Sequence, residues 1–115
     1  MNNIYVGQIG ENIAVRFLKE HGFYIQKRNV REKFGELDIV AEKNEKFYFY
    51  EVKAVCGSFY RPEENVHSRK VKRIRKMIQM FVGNREAEFV FSVIAINLDL
   101  VNRKYRIRVI ENVIL

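Results

Sequence analysis

A chain of 115 residues, 48% hydrophobic and 30% charged with one proline, makes one domain with a modest core. It has no apolar run of membrane-spanning length and no signal peptide. Its single cysteine, Cys56, excludes an internal disulfide or a zinc site and fits a reducing cytoplasm. Lys and Arg outnumber Asp and Glu by 21 to 14, a formal charge of +7, which points to a polyanionic partner or simply to solubility.

Residues 1–21 carry helical periodicity, with Val6, Ile9, Ile13, Ala14, Phe17 and Leu18 on one broad face. Gly7 and Gly10 share that face, a means of approaching a sheet closely, and Gly22 is a helix C-cap. Glu11 falls at the border of the apolar arc, where an acid is ordinarily a solvated boundary residue. Residues 23–31 are expected as a first strand whose end, Lys27 to Arg31, is strongly basic. Arg28 and Arg31 there are phosphate-contact candidates, or else the solvated residues of an edge strand.

The stretch GELDIVAEKNEKFYFYEVK, from Gly35 to Lys53, reads as a hairpin. Ile39-Val40-Ala41 leaves Asp38 as a strand, Lys43 to Lys46 is a turn of about four residues, and Phe47 to Tyr50 is an aromatic return strand. The hairpin lays Asp38 beside Glu51 and Lys53, and strand alternation puts those two on one face with Val52 on the other. Two carboxylates and a lysine in that arrangement suit a hard cation held against a phosphate, with Lys53 near the attacking water or the scissile phosphate. On spacing alone, a solvated surface hairpin explains the same residues equally well.

After a loop containing Phe59, Tyr60 and Pro62, a second helix is expected from an N-cap at Ser68 to Val82, stopped by Gly83-Asn84. Its stripe is Val71, Ile74, Met77, Ile78 and Phe81. The segment RKVKRIRK, residues 69–76, holds six basic residues and no acid. Lys72, Arg73, Arg75 and Lys76 lie away from the stripe as a backbone-tracking face, while Lys70 falls within it and needs an anionic partner. Residues 89–98 read as a buried central strand and 104–110 as a half-exposed edge strand. The whole is an α/β sandwich of order α-β-β-β-α-β-β, a mixed sheet with a helix on either face.

Asp38 followed after twelve residues by Glu51-Val52-Lys53 resembles the PD-(D/E)XK nuclease signature. More narrowly, the chain resembles the YraN family of predicted endonucleases, small bacterial proteins of that superfamily. The likeness takes in Gly10-Glu11, Ala14, Gly22-Phe23, Arg28-Asn29 with Arg31, GELDIV at 35–40 and EVK at 51–53. It continues through Phe59 with Pro62, Val66 with Lys70, and Ile110-Glu111-Asn112. Archaeal Holliday junction resolvases are similar more distantly.

The resemblance implies a restriction-endonuclease-like core and a Mg²⁺- or Mn²⁺-dependent endonuclease acting on DNA in repair, recombination or processing. It implies Asp38, Glu51, the Val52 carbonyl and Glu11 around the metal, with Lys53 catalytic; the basic residues Arg28, Arg31, Lys70, Lys72, Arg73, Arg75 and Lys76 remain the candidates for contact with nucleic acid. A Holliday junction resolvase, which would act as a homodimer, and a nucleic-acid-binding module with little or no cleavage are the alternatives. A partner-docking subunit, with the basic helix as its docking face, is the third class. Two positions depart from the family pattern: Ala54-Val55 stand where many relatives have Thr-Arg, and Ser92 stands where an acid is frequent.

Overall fold

The computed structural model describes residues 3–57, 68–83 and 88–111, and of 3 and 68–70 the backbone alone. The first periodic stretch forms helix α1, Asn3–Glu20. Val6, Gly10, Ala14 and Leu18, one turn apart, are buried, and Ile9, Ile13 and Phe17 pack beside them. Gly22 ends the helix at φ 86°, where its N–H donates to the Lys19 carbonyl and the Phe23 N–H to that of Leu18. That bond pair needs a left-handed residue, which glycine supplies without steric cost.

Strands β1 (Tyr24–Glu32), β2 (Gly35–Lys43) and β3 (Lys46–Cys56) follow, then helix α2 (Ser68–Val82) and strands β4 (Phe89–Asp99) and β5 (Lys104–Ile110). They form one five-stranded sheet in chain order. Only β3 and β4 run parallel, because α2 crosses between them; every other pair is antiparallel. The expected α/β order is therefore present, with β4 buried inside the sheet and β1 and β5 at its edges.

Alternation along β3 divides the core in two. Tyr48, Tyr50, Val52 and Ala54 face α1 together with Ile39, Ile94 and Ile96, whereas Phe47 and Phe49 face α2 with Val40, Ile74, Met77 and Ile78. Each fully buried side chain of this size contributes about 1.5–3 kcal/mol. Among the described residues no helix is long and apolar enough to cross a membrane.

Three local expectations are corrected. The β2–β3 turn is tighter than four residues: Lys43 pairs with Lys46, leaving only Asn44 and Glu45, both left-handed at φ 52° and 64°. Two left-handed residues match the twist of the flanking strands. Ala54, Val55 and Cys56, beyond the hairpin's expected end at Lys53, extend β3 by pairing with Ile96, Asn97 and Leu98. Of the two glycines on the α1 face, only Gly10 meets the sheet, where an added Cβ would collide with that of Ala54; Gly7 is exposed and has open space around it. The helix crosses the strands at one place, so angular position alone does not decide contact.

Candidate functional site

Asp38 lies where the regularity of the sheet breaks. Leu37 and Val40 both pack towards α2 while Ile39 and Ala41 pack towards α1, so the alternation of β2 is interrupted at Asp38. The β2–β3 ladder ends at Ile39 opposite Tyr50, and the β1–β2 ladder passes from Arg28–Ile39 to Val30–Leu37. The β1 residue opposite Asp38 is Asn29, left-handed at φ 53°, and this pair is missing from the ladder although the register is kept.

The Asp38 carboxylate consequently lies in the seam between strands, where its Oδ2 accepts the Val52 N–H at 2.7 Å. The N–H and C=O of one strand residue point the same way, so the Val52 carbonyl also lies on the β2 side. Burial raises Asp38 to a pKa of about 6. The Val52 bond opposes this, and the charges of Glu51, Glu36 and Glu11 add to it.

Glu51 and Lys53 share the α2 side of β3, as the alternation requires. Lys53 Nζ stands 3.5 Å from Glu51 Oε1, with the carboxylate side chain 18% and the lysine 36% exposed. They form one wall of a cleft of about 290 Å³ whose other walls include Glu36, Leu37, Arg73 and Ile74. The two carboxylates thus approach from neighbouring strands, Asp38 from the seam and Glu51 from the face. Glu36 enters this constellation without having been singled out in the sequence. Its signal was available in the hairpin register, which carries it alongside the end of β3.

Glu11 and Arg28, given different roles from the sequence, are joined to each other. Arg28 Nε donates to Glu11 Oε1 at 2.9 Å and its Nη2 to Asn12 Oδ1 at 2.7 Å, fastening α1 to β1. Glu11 still acts on Asp38 through its charge. Among the described residues no three or more His, Cys, Asp and Glu side chains gather closely enough to hold a metal ion. Two carboxylates with oxygen donors remain, a set that fits magnesium, which usually takes one or two carboxylates and completes its octahedron with water and phosphate. It does not fit zinc, whose structural sites take four ligands; Cys56 is exposed and His21 Nδ1 is engaged with the Phe17 carbonyl.

Lys72, Arg73, Arg75 and Lys76 are exposed on α2, opposite Ile74, Met77 and Ile78. Arg31 is exposed on β1 and pairs loosely with Glu36 at 3.6 Å. The Lys70 and Ser68 side chains, Phe59, Tyr60, Pro62, Val66, Asn84 and Asn112 lie outside the described residues. Ser92 is buried on β4 opposite Tyr50, and Ala54 lies beneath Gly10, where a larger side chain would push α1 off the sheet.

Residues 10–110 match the model of the uncharacterised protein family UPF0102. A UPF0102 protein of Campylobacter hominis is 40% identical over 103 residues, covering 90% of this chain and 88% of its own. One from Dictyoglomus turgidum is 39% identical over 90 residues, 77% of this chain and 76% of that protein. A third, from Clostridium botulinum, is 36% identical over 112 residues, 93% of this chain and 91% of its own. With the family model and these relatives agreeing over most of its length, the chain belongs to the uncharacterised protein family UPF0102, the YraN family.

Proposed function

We propose that the protein is a metal-dependent endonuclease that hydrolyses phosphodiester bonds of DNA, built on a restriction-endonuclease-like core. The observation carrying this reading is the seam carboxylate Asp38, bonded to the Val52 N–H beside the Glu51–Lys53 pair. Burying this carboxylate, with the charges of Glu51, Glu36 and Glu11 adding to the cost, is unfavourable for folding, and a bound cation would offset it.

Asp38, Glu51 and the Val52 carbonyl would hold Mg²⁺ or Mn²⁺. When bound, the ion polarises the phosphate and lowers the pKa of a coordinated water. Glu51 holds the Lys53 ammonium at the cleft, where it offsets the negative charge that develops on the phosphate as the bond breaks. Glu11, held by Arg28, supports the site through its charge. The outward cations of α2 bind the phosphate backbone beyond the cleft.

A nucleic-acid-binding module with little cleavage is the second reading, favoured by the Glu11–Arg28 pair, which engages the helix-borne acid with β1. Calorimetric titration with Mn²⁺ separates them. The nuclease reading expects binding by the wild type and its loss in both Asp38→Asn and Glu51→Gln; unchanged affinity in both variants contradicts it.

A further inference from the structure

The β1–β2 turn consists of Lys33 and Phe34, between the paired residues Glu32 and Gly35. Neither residue is left-handed, so the turn does not demand Gly, Asn or Asp and can carry an aromatic. Phe34 places a ring there that is 36% exposed, with Lys76 Nζ 6.0 Å from its centroid. The ring stands in a groove of about 630 Å³ between the turn and α2, where the five cations Arg31, Lys33, Lys72, Arg73 and Lys76 outnumber the two acids Glu32 and Glu36.

This groove adjoins the smaller cleft that contains Glu51 and Lys53, with Gly35, Glu36 and Arg73 lining both. Gly35 and Arg73 meet at the ridge between them: a Cβ on Gly35 would stand 3.3 Å from the Arg73 Cβ, so glycine is what lets the turn approach α2 this closely.

We infer that this groove is a binding site for unpaired nucleotides, in which Phe34 stacks on a base and the surrounding cations lead the backbone towards Glu51 and Lys53. The inference rests on the nuclease reading and narrows its substrate to nucleic acid with a single-stranded segment. A basic groove with an exposed aromatic is the combination that binds single strands, because every unpaired base offers a face to stack on. A duplex hides those faces except at its ends.

The chain has no tryptophan, so Phe34→Trp introduces a single indole at the groove, excitable apart from the tyrosines, that retains the capacity to stack. The experiment titrates wild type, Phe34→Trp and Phe34→Ala, in EDTA to prevent cleavage, with a fluorescein-labelled twelve-nucleotide oligothymidylate and with a blunt hairpin duplex. Anisotropy with the labelled strands reports affinity, and the unlabelled strands report tryptophan quenching. The expected result is quenching by the single strand and little by the duplex, with Phe34→Ala weakening single-strand binding about tenfold and duplex binding less than twofold. Single-strand affinity equal to wild type in Phe34→Ala overturns the inference. So does a Phe34→Trp emission unmoved while anisotropy shows binding, or equal quenching by the duplex. Failure of the nuclease reading looks different: metal affinity indifferent to Asp38 and Glu51, with the Phe34 effects intact. Absence of all nucleic-acid binding by the wild type overturns both.

Discussion

Replacing Asp38 by Asn makes the metal-free protein more stable at neutral pH. The carboxyl titrates at about 6 in the folded chain against 3.8 for the unperturbed group. A shift of about two units corresponds to at most about 3 kcal/mol. Between those values the folded protein retains a proton that the unfolded chain has released, so stability declines as pH rises from about 4 to 6. Above that window the loss is complete; below it both states are protonated and nothing is lost. Asn keeps an oxygen able to accept the Val52 N–H, so the substitution removes the buried charge and leaves the bond.

Urea unfolding in EDTA reads this directly. With an m-value of about 1.5 kcal/mol per molar, the Asp38→Asn midpoint at pH 7.5 lies up to about 2 M above wild type, and the two converge below pH 4. Adding Mn²⁺ at a hundred times its dissociation constant returns about 2.7 kcal/mol to the wild type and nothing to the variant. Coincident midpoints at every pH, or a less stable variant at pH 7.5, would refute the argument from buried charge.

Gly10→Ala forces a methyl into that of Ala54 and destabilises by about 1–3 kcal/mol; thermal unfolding should show partial recovery in Gly10→Ala with Ala54→Gly. Glu45→Gly relieves a left-handed non-glycine residue and stabilises by up to about 1 kcal/mol, read as a higher urea midpoint. Lys53→Ala retains Mn²⁺ affinity in calorimetry but loses roughly a hundredfold or more in single-turnover cleavage, since its charge acts in the transition state.

The hairpin was legible because a short turn sets the register, and register alone brings Asp38 to the end of β3. The stripe of α2 and the buried run of β4 were legible for the same local reason, a period that matches the element. What escaped was non-local. The Arg28–Glu11 bond joins residues on different elements, each with a role of its own when considered alone. Asn29 gives no hint in sequence that its left-handed backbone stands opposite Asp38, and the interruption it marks turns a face residue into a seam residue. Phe34 carries no signal of its own in the sequence, because its meaning depends on how closely Gly35 lets the turn approach α2.

The central claim is hydrolysis at the Asp38–Glu51 seam, and one gel assay addresses it. Wild type and Glu51→Gln are incubated with end-labelled linear, nicked, flapped and four-way DNAs in Mg²⁺, Mn²⁺ or EDTA. The account predicts cleavage by the wild type of a substrate with unpaired nucleotides when either metal is present, and none in EDTA or by Glu51→Gln. A wild type that binds Mn²⁺ and DNA yet cuts nothing, or a Glu51→Gln that cuts as well as wild type, would contradict it.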